Sequence, residues 1–243
     1  MLYFKKAIFE QLYERPMAHC ATLTQLHDGT LLAAWFGGAY ETAPDVAILA
    51  ARYDLTTDRW STPQIIAEVP GKSLGQPLFM TRPDGELWFF YVVNMGVDWM
   101  TSQPFWRRSV DRGATWSEPH HIMDYPGLMF RSRAIILPGR IIIPAYDENT
   151  WESRMLISDD DGRSWRLGAP IVTPNGNIHA CIVQRSDGVL VAYLRPGVGG
   201  GALWRITSDD GGDTWTTPTL TDRPNPNAGF DLLRLASGRL ALA

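Results

Sequence analysis

Short apolar runs alternate along the chain with turn signals at a nearly constant beat. Glycine marks fall at Asp28-Gly29, Asp84-Gly85, Pro138-Gly139, Asp187-Gly188 and Ser237-Gly238, and each precedes an apolar run such as Leu31-Leu32-Ala33-Ala34-Trp35 or Val189-Leu190-Val191-Ala192-Tyr193. Runs of this length bounded by turn residues predict β-strands joined by hairpins at the glycines, and no stretch carries a convincing helical period. A second mark keeps the same beat. Ser109-Val-Asp111-Arg-Gly113-Ala-Thr115-Trp116 returns as Ser158-Asp-Asp160-Asp-Gly162-Arg-Ser164-Trp165 and as Ser208-Asp-Asp210-Gly-Gly212-Asp-Thr214-Trp215. In each, the Ser and Asp side chains are expected to bond the turn's own backbone, Gly to take the positive-φ position, and Trp to turn back into the core. Arg52 to Trp60 is a worn copy that keeps the acidic turn and the Trp but lacks the glycine.

The spacing turns the motif into an architecture. Trp60, Trp116, Trp165 and Trp215 are separated by 56, 49 and 50 residues. Two hairpins per period give four short strands, which predicts an all-β fold of β-propeller blades. We expect one domain over residues 1–243, with about four blades and the start of a fifth. The fifth unit opens at Asn225-Pro-Asn-Ala-Gly-Phe-Asp231, and the sequence ends within its strand Leu240-Ala-Leu-Ala243. One to two C-terminal blades are therefore expected to be missing, leaving an open sheet edge. The alternative is a small four-bladed ring closed by the segment Tyr3 to Tyr13.

Composition narrows the class. With 45% apolar residues, ten Trp and a net charge of −4, the chain can bury a large core and lacks the basic footprint of a nucleic-acid binder. No apolar run approaches the length of a membrane span. The apolar part of Met1 to Glu10 is too short for a secretory signal, so the sequence as given reads as cytoplasmic. Cys20 and Cys181 fall at equivalent places in the first and fourth repeats, hence in different blades, which argues against a disulfide.

In a propeller the innermost strands and the loops following their neighbours line the mouth, so chemistry is sought there. After the first glycine run comes Phe36-Gly37-Gly38-Ala39-Tyr40-Glu41-Thr42-Ala43-Pro44-Asp45, glycine-rich and acidic between apolar strands. Pro44 and Val46 flank Asp45, which suggests a partly dry carboxyl suited to holding a proton. His19 and His179 stand at equivalent starts of inner strands. Arg131 and Arg133 alternate on one face of the third repeat's inner strand. Pro144-Ala145-Tyr146-Asp147-Glu148 ends an apolar strand in a phenol and two carboxyls. No spacing matches a metal motif, and Gly197-Val-Gly199-Gly200-Gly201 lacks the lysine and helix of a phosphate loop, so neither metal nor cofactor is expected.

These residues resemble the sialidase (neuraminidase) superfamily of Asp-box β-propellers, in particular bacterial BNR-repeat sialidase-like proteins. The resemblance implies a ring of six blades and a carbohydrate substrate, with the Asp boxes peripheral to the site. Tyr40-Glu41-Thr42-Ala43-Pro44-Asp45 looks like the loop carrying the general acid, a role that falls on Asp45, with Glu41 beside it as a substrate contact. The repeat His179 to Arg195 is similar to one that begins in a glutamate and ends in a carboxylate-binding arginine, a role that falls on Arg195. The departures are as definite. His19-Cys20-Ala21 stands where the family has Arg-Ile-Pro, so an arginine clamp has become a histidine. His179 stands at the glutamate, and the third arginine's region reads Asn225 to Gly229 with only Arg223 near. The resemblance puts the nucleophilic tyrosine in the last blade, outside this sequence.

Three functions follow. The first is a sialidase-type glycoside hydrolase of the exo-α-sialidase kind on an acidic or decorated glycan, with Asp45 as acid, Arg195 as carboxylate clamp, and His19, Glu41, Arg131 and Arg133 as further contacts. The second is a polysaccharide lyase or atypical glycosidase in which Tyr146, His179 and His19 converge as an acid–base set. The third is a non-catalytic carbohydrate-binding propeller, which fold alone does not separate from the others.

Overall fold

The computed structural model describes residues 6–243, which fall into two compact units, the first ending at His121 and the second running Ile122–Ala243. Residues Tyr3, Phe4 and Lys5 of the segment considered above for ring closure lie outside the described residues.

The first unit holds two antiparallel sheets. One consists of β1 (Met17–Gln25), β2 (Leu31–Gly38), β3 (Ala47–Asp54), β4 (Arg59–Trp60) and β5 (Gln64–Ala67), in the order β1-β2-β3-β4 with β5 also paired to β3. The other is β6 (Ser73–Thr81), β7 (Leu87–Asn94), β8 (Ser102–Ser109) and β9 (His120–His121), paired in sequence order. Among the described residues of this unit a single 3₁₀ turn, Trp99–Thr101, interrupts the all-β pattern, capped by Asp98. Phe36, Ile48, Leu74, Phe89 and Tyr91 are buried in the core of this unit.

The second unit repeats the plan. β10 (Leu128–Phe130), β11 (Ile135–Leu137), β12 (Arg140–Asp147), β13 (Glu152–Ser158) and β14 (Arg166–Leu167) form one sheet. β15 (Asn177–Gln184), β16 (Leu190–Pro196), β17 (Gly201–Ser208) and β18 (Thr219–Asn225) form the next, and β19 (Leu232–Arg234) pairs with β20 (Leu240–Leu242) as a separate hairpin. Its core packs Ile142, Ile157, Ile182, Leu190, Leu194 and Ile206. The five glycines that punctuate the apolar runs sit at the predicted hairpins with φ of +85, +92, +73, +88 and +80°.

The S-x-D-x-G-x-[ST]-W motif makes one hydrogen-bonded corner three times over. Ser109 Oγ accepts from Gly113 N at 2.6 Å and donates to Asp111 Oδ1 at 2.7 Å, while Asp111 accepts from Thr115 N at 2.9 Å and from its hydroxyl at 2.6 Å. Asp160 takes Ser164 N at 2.8 Å and its hydroxyl at 2.6 Å, and Asp210 takes Thr214 N at 3.0 Å. Chain reversal uses two successive left-handed residues, Arg112-Gly113, Asp161-Gly162 and Gly211-Gly212. The worn copy solves the same problem differently. Asp54 accepts from Thr56 N at 2.8 Å and from the Thr57 hydroxyl at 2.9 Å, and Asp58 itself adopts φ +56° where the glycine is lacking.

Trp116, Trp165 and Trp215 are partly buried, and Trp116 and Trp215 turn back onto the cores as expected. Trp116 lies over Phe79 with parallel rings 6.1 Å apart, and Trp215 spends its indole N–H on Gly212 O at 3.2 Å. The motif places the ring at the rim of its core because the corner is itself a solvent-facing turn.

Hydroxyl and amide donors hold these carboxylates below the ordinary range. For Asp160 the Ser164 hydroxyl is the largest cause and brings the value to about 2. A depressed folded-state pKa stabilises the fold above the unfolded value near ~4, and that contribution is lost as pH falls through the folded value. Thermal unfolding followed from pH 6 downward is therefore expected to show wild type losing stability between about pH 4 and 2 more steeply than Asp160→Asn. Parallel curves would remove Asp160 from that role.

Candidate functional site

In the first unit, β2 ends in Gly37-Gly38 and the chain turns through Tyr40, Thr42 and Ala43 before entering β3. A Cβ on Gly38 would lie 2.7 Å from Val46 and 3.0 Å from Asp45 Oδ1, so the glycine is what lets the Asp45 carboxylate close over the strand end. Ala39 N–H donates to both Asp45 oxygens, at 3.2 and 3.0 Å. Arg15 braces the loop from behind, donating to Gly37 O at 3.3 Å and to the Asp45 carbonyl, with its other nitrogen on Glu68 at 2.8 Å. Glu41 reaches sideways from the same loop. Its Oε1 accepts the Trp99 indole N–H at 3.0 Å and its Oε2 lies 3.6 Å from His19 Nδ1. Phe36 fills the space between, edge-on to both His19 and Trp99.

The innermost strands share a device that the sequence pattern hides. β1, β6 and β15 each slip register at one point, between His19 and Thr22, between Gly75 and Leu78, and between Ile178 and Cys181. The first residue of each bulge is left-handed: Cys20 at φ +51°, Gln76 at +52° and His179 at +52°. Left-handed backbone is unfavourable for side chains of this size and persists only where surroundings enforce it. The structure thus aligns His179 with Cys20 and Gln76, and aligns His19 with Ile178, one residue away from the equivalence drawn from the sequence. An extra residue in a bulge does not show in hydrophobic spacing, so the offset was not legible there.

In the second unit the bulge aims His179 at β12 and β16. Its Nε2 lies 3.2 Å from Tyr146 Oη and its Nδ1 3.2 Å from Arg195 Nη1, and the Tyr146 and His179 rings meet edge-to-face with centroids 5.0 Å apart. Arg195 Nε donates to Asn227 Oδ1 at 2.9 Å. Tyr146 and His179 are 2% and 8% exposed, so these hydrogen bonds form in a dry setting. Gly229 passes close by: a Cβ there would lie 3.7 Å from His179 Nδ1 and 3.9 Å from Arg131 Nε.

Several expected residues stand elsewhere. Asp45 and Pro44 are exposed, so the apolar wall expected around the carboxyl is absent; hydrogen bonds, not dryness, fix the group. Arg131 and Arg133 lie in the break between β10 and β11 and not on a strand. Arg133 turns to an exposed ion pair with Asp231 at 2.9 Å, while Ser132 between them points inward to Cys181 Sγ at 3.0 Å. Burial pushes the Cys181 thiol up to about 12, which makes it a core residue without nucleophilic use. Asp147, beside Tyr146, is buried and accepts the Tyr125 hydroxyl at 2.7 Å and Asn149 N at 2.8 Å. Sequence reasoning missed Arg15, Gln76, Trp99 and Asn227, none of which belongs to a motif. Among the described residues no group of three or more His, Cys, Asp or Glu side chains is arranged to hold a metal.

With this geometry in hand, the relatives are informative. The model of the BNR repeat-like domain matches residues 29–243, and the chain belongs to that family. Two curated relatives are an anhydrosialidase from Macrobdella decora, 29% identical over 148 residues, and a sialidase from Clostridium perfringens, 26% identical over 137. Those matches take in 56% and 49% of this chain but only 19% and 34% of the relatives, so the chain spans well under two thirds of their length. A sialidase structure from Streptococcus pneumoniae superposes with a TM-score of 0.79 at 14% identity, covering 98% of this chain and 58% of that one. The fold is accordingly that of a sialidase-type β-propeller.

The first unit's cluster makes a direct prediction. A Cβ on Gly75 would lie 2.7 Å from the Trp99 ring, so Gly75→Ala must displace the indole and break its bond to Glu41. Overpacking of this kind costs about 1–3 kcal/mol. Chemical denaturation should report the loss, and tryptophan emission should shift red as Trp99 moves outward; unchanged emission would mean the ring is not clamped.

Proposed function

We propose that this chain is part of a sialidase-type glycoside hydrolase acting on an acidic or decorated glycan, with Asp45 as general acid and Arg195 as the contact for substrate negative charge. The observation that carries this reading is the Asp45 carboxylate, held at the end of β2 by Ala39 N–H on both oxygens and left open to solvent. A general acid must be fixed in place and open to the leaving-group oxygen, and the Asp45 side chain is both. Arg195 supplies a permanent charge whose plane is set by Asn227 and His179, the preorganisation that carboxylate recognition requires. The names of the curated relatives, an anhydrosialidase and a sialidase, support the same class of substrate.

A second reading keeps its own support. The buried Tyr146, with the His179 imidazole as its hydrogen-bond partner, is a phenol suited to moving the proton of an elimination across a uronate, and the product separates the two readings. Hydrolysis releases a sugar without a new chromophore, whereas elimination leaves an unsaturated uronate that absorbs in the ultraviolet. A binding propeller turns over neither.

Asp45→Asn tests the first reading. Glycans with poor leaving groups should lose about 10²–10⁴-fold in kcat/KM, while activated aryl glycosides, which depart without a proton, should change by less than about tenfold. Steady-state rates on both substrate types decide it. Equal loss on both, or none on either, removes Asp45 from the acid's role.

A further inference from the structure

His179 is constrained in three ways at once. It is buried, left-handed, and bonded through both ring nitrogens. The two bonds have a direction that chemistry fixes. A guanidinium has only donors, so Arg195 Nη1 can meet His179 Nδ1 at 3.2 Å only if Nδ1 offers its lone pair. A neutral imidazole whose Nδ1 accepts must carry its proton on Nε2, and Nε2 faces Tyr146 Oη at 3.2 Å. The histidine therefore donates to the phenol and does not take a proton from it. Asn227 closes the other end by accepting from Arg195 Nε at 2.9 Å, which keeps the guanidinium aimed along the line.

We propose that Arg195, His179 and Tyr146 form a directed hydrogen-bond relay that makes Tyr146 a proton donor to an oxygen of a bound glycan, with Arg195 and His179 as positioning residues. In the step itself the Tyr146 O–H bond breaks as a new O–H bond forms on the glycosidic oxygen and the C–O bond to that oxygen breaks, and the negative charge stays on the phenolate under the His179 Nε2–H. The water that adds its oxygen to the sugar carbon gives its proton back to the phenolate, which completes a hydrolysis. Arg195 from β16 and Tyr146 from β12 bond His179, and Gly229 from the segment before β19 passes beside it, with Arg131 also near that glycine. A permanent cation at Nδ1 disfavours a second proton on the ring, so the relay keeps one polarity. The inference rests on the proposed function only in taking the ligand to be a glycan.

The tautomer is read without any substrate. Protein labelled with ¹⁵N-histidine should show His179 as the neutral Nε2–H form in wild type and in Tyr146→Phe, and as a mixture of forms in Arg195→Met. His179 found as Nδ1–H or as imidazolium in wild type would overturn the proposal. So would an unchanged signal in Arg195→Met. Because the backbone at 179 is left-handed, His179→Asn, which tolerates that conformation and keeps a donor, is the variant to compare with His179→Phe. On a glycan that the wild type turns over, Tyr146→Phe and His179→Phe should lower kcat by about 10²-fold or more with KM within about threefold, and His179→Asn should recover part of the loss. Turnover lost in Asp45→Asn but unchanged in Tyr146→Phe sinks the relay and leaves the hydrolase standing. With no turnover on any glycan the hydrolase fails, and the histidine signal still decides the polarity of the relay.

Discussion

Everything in both units depends on a solvent-facing turn that satisfies its own backbone. The Asp-box aspartates accept from the turn's amide and hydroxyl, and the serine ahead of them accepts from the glycine N–H, so reversal leaves few backbone groups to find partners elsewhere. That local closure is why the motif recurs with different neighbours. Arg112 reaches Asp28 at 2.5 Å from one corner, whereas Arg140 and Arg166 bridge Asp159 and Asp213 between the two corners of the second unit. Ion pairs at a solvent-facing rim add modestly to stability on their own. Their regularity does more to set how one corner meets the next.

The inner strands work by the opposite principle. They give up one ladder position each, and the residue released at Cys20, Gln76 or His179 takes a conformation its side chain disfavours. Bulges of this kind re-aim a side chain that regular pleating would direct elsewhere. At His179 the gain is visible as two hydrogen bonds and a ring contact. At Gln76 the backbone repeats while Oε1 is buried without a partner, so the conformation belongs to the blade and its chemistry to the individual residue.

The Asp45 loop shows how glycine couples strand geometry to the placement of a side chain. Gly37 and Gly38 are needed because Met17 O and the Val46 and Asp45 side chains occupy the space a Cβ would take. Arg15, from a segment before the first strand, fastens the same loop through two carbonyls. Asp45 is thereby fixed in place without being dry.

The sequence by itself determined the strands, their hairpins and the Asp-box corners, because each is a local matter of turn chemistry and period-two alternation within a few residues. It also singled out Asp45, Glu41, Tyr146, His179 and Arg195 as candidates. Tertiary structure alone decided which of these touch: that Glu41 bonds Trp99, that Arg133 leaves for Asp231, and that His179 joins Tyr146 to Arg195 across 33 and 16 residues of chain. The reason is the bulge. One added residue reverses the face of every side chain beyond it, and whether a strand carries that residue is set by packing against its neighbours, which hydrophobic spacing does not record.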